Sequence, residues 1–215
     1  MNTMQRRAIM VGAISVVTGA VSSFAGPSSS ANRSQNPPGW AARFSFDSAG
    51  YNVGIDSMVV HGGRRSAYIQ FRGEPQGWAT VMQTFRAAEY RGKRVRLSAF
   101  VKTENVEAGA LLWMRVEGLD DSVLAWDNMG DRPIRGTTDW RSYDVVLEIP
   151  KRAQAIAIGF LLDRGWGRVW VDDVSVGVVG TDVAPTAPLR PAHARGRGSP
   201  VTPTGDRPLN LDFER

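Results

Sequence analysis

From residue 39 to residue 179 the chain reads as short apolar runs separated by Gly, Pro, Asn and Asp. In "RVRLSAFVK", Val95, Leu97, Ala99 and Val101 fall on one side, with Arg94, Arg96, Ser98, Phe100 and Lys102 on the other. In "AIAIGFLL", Ile156, Ile158, Phe160 and Leu162 oppose Ala155, Ala157, Gly159 and Leu161. Side chains of an extended strand point alternately to its two faces, so a period of two marks a strand with one face in a core. This reading predicts strands over 51–56, 66–72, 79–86, 94–103, 110–117, 123–128, 142–149, 155–162 and 168–179. No segment carries a sustained helical stripe bounded by caps, and "RAAEYRG" at 86–92 has room for one turn. Many short strands at close spacing predict an all-β fold, an antiparallel β-sandwich of the jelly-roll kind.

The pattern fails outside those limits. The opening "MNTMQRRAIMVGAISVVTGAVSSFAG" sets Arg6 and Arg7 before an acid-free apolar run that ends in small residues. That order predicts a cleavable export signal over 1–25, cut after Ala25, with Ala31 as a second choice, and hence a periplasmic or extracellular address. The adjacent arginines fit a loose twin-arginine signal. A single anchor is the other reading, but the glycine-interrupted run is short for a span of about 20 residues. After cleavage no membrane span is expected. Residues 26–38 read as a linker. Residues 180–207, rich in Pro, Gly, Ala, Thr and Arg, read as an extended tether with a reach of about 90 Å. The closing octapeptide "PLNLDFER", 208–215, is again apolar and alternating.

Composition narrows the chemistry. The 215 residues include no cysteine, which removes disulfides, thiolate zinc sites and thiol nucleophiles. Net charge is +5, yet between Trp40 and Val179 there are 18 basic and 17 acidic residues, so the excess sits in the two ends. A folded part so balanced lacks the basic stripe that nucleic-acid binding requires. Of two histidines, His61 precedes a Gly-Gly pair and His193 lies in the tether. There is no Gly-x-Ser-x-Gly elbow, no His-Glu-x-x-His helix and no glycine-rich phosphate loop, so a non-catalytic binding role is expected rather than an enzyme.

"GKRVRLSAFVKTENV" at 92–106, "TTDWRSYDVVLEIP" at 137–150 and "GRVWVDDVSV" at 167–176 resemble, in that order, carbohydrate-binding modules of the galactose-binding-like jelly-roll superfamily. The resemblance spans about 39–179. It implies a glycan as ligand and a structural calcium ion (Ca2+) held by an Asp of a late Asp-Asp pair, a Glu of an Asn-x-x-Phe-Glu opening strand, and carbonyls. Here Asp172 and Asp173 supply the pair, but no such opening strand precedes the Gly39-Trp40 turn. Its counterpart stands at the other end as Asn210-Leu211-Asp212-Phe213-Glu214. The expectation is therefore that 208–215 returns as a strand that completes the sandwich, with Leu209, Leu211 and Phe213 inward and Glu214 available to calcium. A strand-swapped dimer, the stub of a second repeat and an unpaired tail are the competing readings.

Seven tryptophans are the other conspicuous feature, because flat aromatic faces flanked by polar groups suit sugars. Trp113 and Arg115 share a strand face; Trp126, Asp127 and Asn128 follow on the next strand; Trp78 sits in the "EPQGW" loop. These six are the candidate ligand residues, while Trp40, Trp140 and Trp170 read as core or motif positions. The leading expectation is a glycan-binding exported domain. An envelope-protein interaction domain of the same fold is second, and a small hydrolase third.

Overall fold

The alternation becomes two layers because one strand serves both. The computed structural model describes residues 36–45, 50–73, 77–119, 122–189 and 202–215. Its strands are β1 (Ala41–Phe44), β2 (Tyr51–Asp56), β3 (Ser66–Phe71), β4 (Ala79–Arg86), β5 (Arg94–Glu117), β6 (Val123–Asp127), β7 (Ile134–Glu148), β8 (Ala155–Leu162) and β9 (Gly167–Val179). A 3-10 turn spans Ala88–Tyr90, Leu119 also has 3-10 backbone, and no α-helix occurs among the described residues. All pairings are antiparallel. The first half of β5 lies between β7 and β9 in the layer β2-β3-β9-β5-β7. Its second half lies between β8 and β6 in the layer β1-β4-β8-β5-β6.

The strands predicted over 94–103 and 110–117 are thus one element of 24 residues. Its pairing with β7 shifts register at Val101/Thr103, Thr103/Val106 and Val106/Ala110, and Asn105 has a φ of 51°. Such irregularities bend a strand, and here they carry it from one layer to the other. The periodic residues behave as their parity requires. Val95, Leu97, Ala99 and Val101 pack against Ile156, Ile158, Phe160 and Leu162 in the core between the layers. The expected antiparallel β-sandwich is the observed fold. β1 was not predicted; four residues give too short a run to display a period.

Both ends of the sandwich depart from expectation. Residues 180–189 do not run free: Thr186 exchanges hydrogen bonds with Val146 on β7, and Leu189 bridges to Ala125 on β6. Thr204 and Gly205 then bond Thr84 and Arg86, extending the outer edge of β4 beyond the residues that β1 covers. The predicted strand at 208–215 is instead a turn. Asn210 (φ 48°) and Phe213 (φ 57°) interrupt the extended backbone, so the period of two is lost. Leu209 stays largely exposed, whereas Asn210 is buried and Phe213 is fully buried at 5.2 Å from the Trp40 ring. The Gln83 amide clamps the Leu209 backbone, donating to its carbonyl at 3.0 Å and accepting from its N–H at 2.8 Å. The Trp40 indole donates to the Asn210 carbonyl at 3.0 Å, and Val174 N–H donates to the Leu211 carbonyl at 3.0 Å. The octapeptide is therefore anchored on its own domain, as a plug and not as a strand. The predicted export signal and most of the predicted linker lie outside the described residues.

Candidate functional site

The face of the β1-β4-β8-β5-β6 layer turned away from the core forms an open cleft of about 1050 Å³. Strand parity builds it. The residues that alternate with the core positions of β8 and β5, among them Gly159, Leu161, Leu111, Trp113 and Arg115, all turn outward. Gly159 faces Trp113 across the pair, and a Cβ there would come within 2.8 Å of the indole. A bare glycine in mid-strand thus lets the indole lie against the sheet. Trp113 is only 7% exposed, packed with Met82, Ala157 and Leu161, and its indole N–H donates to Thr80 Oγ1 at 2.9 Å. It is the floor.

Two further tryptophans rise from the rim. Trp126 on β6 is 41% exposed and sits opposite Arg115 in the β5–β6 register. Trp78 is 37% exposed, and its backbone is pinned to the end of β1 by exchange with Ser45, N–H to Oγ at 2.8 Å and carbonyl to N–H at 3.0 Å. The preceding Gly77 carbonyl accepts from the Tyr51 hydroxyl at 3.1 Å. Burial, together with the nearby Asp163 charge, pushes the Tyr51 phenol up to about 12, which keeps that donor protonated. Asn128 completes the predicted residues in the lining.

Asp127 does not belong there. Period two turns it to the opposite face from Trp126 and Asn128; it is 6% exposed and accepts from Met129 N–H at 2.8 Å and Arg132 Nη2 at 2.6 Å. Burial would raise its pKa, but the Arg132 guanidinium, Thr186 and that N–H outweigh it and hold the carboxyl below its ordinary value. It is a structural anion. Sequence reasoning missed Arg43, Arg135, Met82, Thr80 and Asp163, which also line the cleft, as do Thr202 and Thr204 from the returning chain. Arg43 was hidden because β1 was, and Arg135 because β7 begins earlier than its apolar run.

The candidate calcium ligands form a second, separate arrangement. β9 carries an extra residue opposite Ser98–Phe100 of β5, with Asp173 at φ 47°. That bulge lets both acids reach the 61–65 loop, where a regular strand would send them to opposite faces. The Asp172 carboxylate accepts from the N–H groups of His61 (2.8 Å), Gly62 (3.1 Å) and Asp173 (2.8 Å). Asp173 Oδ2 meets His61 Nδ1 at 2.7 Å, and the His61 ring stacks on Phe100 at 3.6 Å. Glu214 Oε1 accepts from Arg64 N–H at 2.6 Å and Arg65 N–H at 3.0 Å, with Arg64 Nε 3.5 Å from its other oxygen. Gly63 (φ 58°) leaves no room for a Cβ, which would overlap Glu214 Oε1. Burial raises the Asp172 carboxyl despite its N–H partners, while the Arg64 N–H leads the effects that lower Glu214.

Among the described residues no three His, Asp or Glu side chains gather as a metal site. Calcium wants a shell of oxygens, and the neighbours of these carboxylates are N–H groups and a guanidinium, whose polarity repels a cation. The residues in this arrangement do not fit the ion. Asp172, Asp173 and Glu214 fasten a loop.

No family model matches the chain. The chain is 41% identical over 169 residues to an uncharacterized HTH-type transcriptional regulator, YbfP, of Bacillus subtilis (strain 168); the match takes in 76% of this chain and 52% of that protein. The chain thus spans about half the length of the curated relative it matches. Among solved structures, it is similar to the enzymatically active domain of tailspike protein 4 of Bacteriophage CBA120, with a TM-score of 0.54, 17% identity, and coverage of 67% of this chain and 20% of that one. It also aligns with the C-terminal family 22 carbohydrate binding module of Clostridium thermocellum Xyn10B, with a TM-score of 0.48, 14% identity, and coverage of 68% and 89%. At such identities the likeness to the tailspike domain speaks to fold alone.

Proposed function

We propose that this domain is an exported, non-catalytic glycan-binding module whose site is the tryptophan-floored cleft. Four tryptophans line one open groove, the buried Trp40 among them, and the observation that carries the reading is the arrangement of the other three. Trp113 lies flat as floor, and Trp78 and Trp126 stand half-exposed at the rim beside Arg115 and Asn128. Sugar rings offer C–H faces to aromatic surfaces and hydroxyls to adjacent donors and acceptors, so such a groove takes a saccharide chain without reacting with it. Hydrolysis of a glycosidic bond commonly uses two carboxylates flanking it. Among the described residues the cleft lining carries one, Asp163. The leader pattern at 1–25 supports export.

A second reading follows from the likeness to YbfP. Any continuous stretch covering 76% of this chain includes most of the sandwich, and the described residues contain no α-helix from which a helix-turn-helix could be made. In that reading the sandwich is a sensing or interaction module, and the same cleft holds the effector or a protein partner.

Affinity electrophoresis and calorimetry against a polysaccharide panel test the first reading. Retention by at least one polysaccharide, weakened roughly tenfold or more in Trp126→Ala with the fold intact, is the expected result. Silence across the panel, with a protein repeatedly co-purifying through the same cleft, favours the second.

A further inference from the structure

The cleft holds a charge excess that stacking on tryptophan does not require. The sandwich is nearly balanced, with 18 basic and 17 acidic residues between Trp40 and Val179, and guanidinium groups that are only partly exposed are matched: Arg132 by Asp127 at 2.6 Å, Arg168 by Asp56 at 2.8 Å. The cleft departs from this. Its ionisable lining is Arg43, Arg115, Arg135 and Asp163. Arg115 is neutralised by the buried Glu117, 2.8 Å from its Nε. Arg43 and Arg135 are not neutralised: each gives a bond to a backbone carbonyl, Arg43 Nη1 to Ala42 at 3.0 Å and Arg135 Nε to Ala108 at 2.9 Å. Among the described residues neither lies within ion-pair distance of a carboxylate, and Asp163 pairs with Arg164 at 3.7 Å.

Most of the N–H donors of these two forks are therefore left for whatever enters. They stand on different walls, Arg43 on the β1 edge and Arg135 on β7 beside the β5 crossing. A planar guanidinium matches a carboxylate or sulfate in bidentate fashion, while a neutral hydroxyl uses the fork poorly. Resting on the glycan-binding reading above, we propose that the cleft selects anionic glycans, chains bearing carboxylate or sulfate groups, with the sugar faces on Trp126 and Trp78 and the anionic groups on Arg43 and Arg135.

The test is calorimetric titration of the purified protein with three tetrasaccharides: an oligogalacturonate, a sulfated galactan fragment and a neutral galactan fragment. At low salt at least one acidic tetrasaccharide is expected to bind about tenfold or more tightly than the neutral one, with the advantage shrinking as ionic strength rises. Which of the two wins distinguishes carboxylate from sulfate. In the double variant Arg43→Gln/Arg135→Gln the acidic-to-neutral affinity ratio is expected to collapse toward one, with the melting temperature checking that the fold survives. Equal affinity for neutral and acidic chains in the wild type, or an undiminished ratio in the folded double variant, overturns the proposal and leaves glycan binding standing. Equal binding of polyglutamate also overturns it, as plain charge attraction. Absence of binding by every tetrasaccharide and every panel polysaccharide removes the glycan reading, and the proposal with it.

Discussion

The tryptophan cleft and the acid-fastened loop both drew attention in the sequence as clusters of chemistry-bearing side chains, yet they differ in where their hydrogen bonds go. At the loop, every carboxylate is met by the chain itself: Asp172 by three backbone N–H groups, Asp173 by the His61 ring, Glu214 by the N–H groups of Arg64 and Arg65. In the cleft, the rim indoles are half-exposed and two guanidinium groups reach carbonyls alone. Polar groups satisfied from within hold a fold together; polar groups left open are available to a ligand. By this criterion one cluster is architecture and the other is the proposed site.

The sharpest way to break that contrast is to remove the plug that carries Glu214. Phe213→Ala is expected to cost about 3–5 kcal/mol, since it empties a fully buried position against Trp40. At this chain length that lowers the melting temperature by roughly 10 °C, measured by calorimetry. Deleting 208–215 should cost more, because it also strips the partners of Gln83, Val174 and Trp40. A melting temperature unchanged by either would mean that the segment is not docked in solution.

Next in size is a split within the cleft. Trp113→Ala should lower stability by about 3–5 kcal/mol along with binding, because the indole is packed floor. Trp126→Ala should lower binding with a stability change of about 0.5 kcal/mol or less, because the indole is rim. Denaturant titration beside ligand titration reads both axes.

At the loop, Asp172→Ala leaves three N–H donors without their acceptor and is expected to cost about 1–3 kcal/mol with no change in glycan affinity. The pH profile has a definite sign. For Asp56, burial raises the pKa, but the Trp170 indole, the Met58 and Val59 N–H groups and Arg168 outweigh it; Asp127 and Glu214 are lowered as well. Groups held low bind fewer protons folded than unfolded. Their stabilisation is therefore full above about pH 4.5 and is lost as pH falls through the lowered values. Asp172, held high, runs the other way: its cost grows as pH rises through its unfolded and then its folded value. Asp139, lowered by its bond from Lys102, joins them, and four against one predicts a falling melting temperature from pH 5 to pH 3, checked by scanning calorimetry. A flat or rising profile would contradict the pairing described here.

The smallest expected effect is that of calcium. A specifically bound ion at a hundred times its Kd would add about 2.7 kcal/mol. Because the donors facing Asp172 and Glu214 are N–H groups, the melting temperature in millimolar calcium and in chelator is expected to agree within about 1 °C. A rise of several degrees would turn the acid cluster from a fastening into a metal site.

Much of this architecture is legible one residue at a time. The parity of "RVRLSAFVK" and "AIAIGFLL" assigned core and outer faces that the structure keeps, and the outer residues of the second, Ala157 and Leu161, pack against the cleft floor. Trp113, Arg115, Trp126, Asn128 and Trp78 were identifiable as aromatic and polar residues on outward positions or turns, and all five line the cleft. Asp127 was misplaced because composition drew the eye where parity should have ruled. At Asp173 a bulge sets parity aside, allowing two neighbouring acids to reach one loop.

What the sequence determined by itself was the period, and with it the strands, the two-layer fold and the side of the sheet on which each residue stands, because alternation is a property of the extended backbone alone. What tertiary structure decided was which strands share a layer, that β5 crosses between layers, and that Asn210 and Phe213 turn a would-be strand into a plug. It also decided which charges are met: Arg132 finds Asp127 a few residues away, whereas Arg43 and Arg135 find carbonyls only. The layer order, the crossing and the plug depend on groups distant in the chain arriving at one place, and no local spacing encodes that arrival.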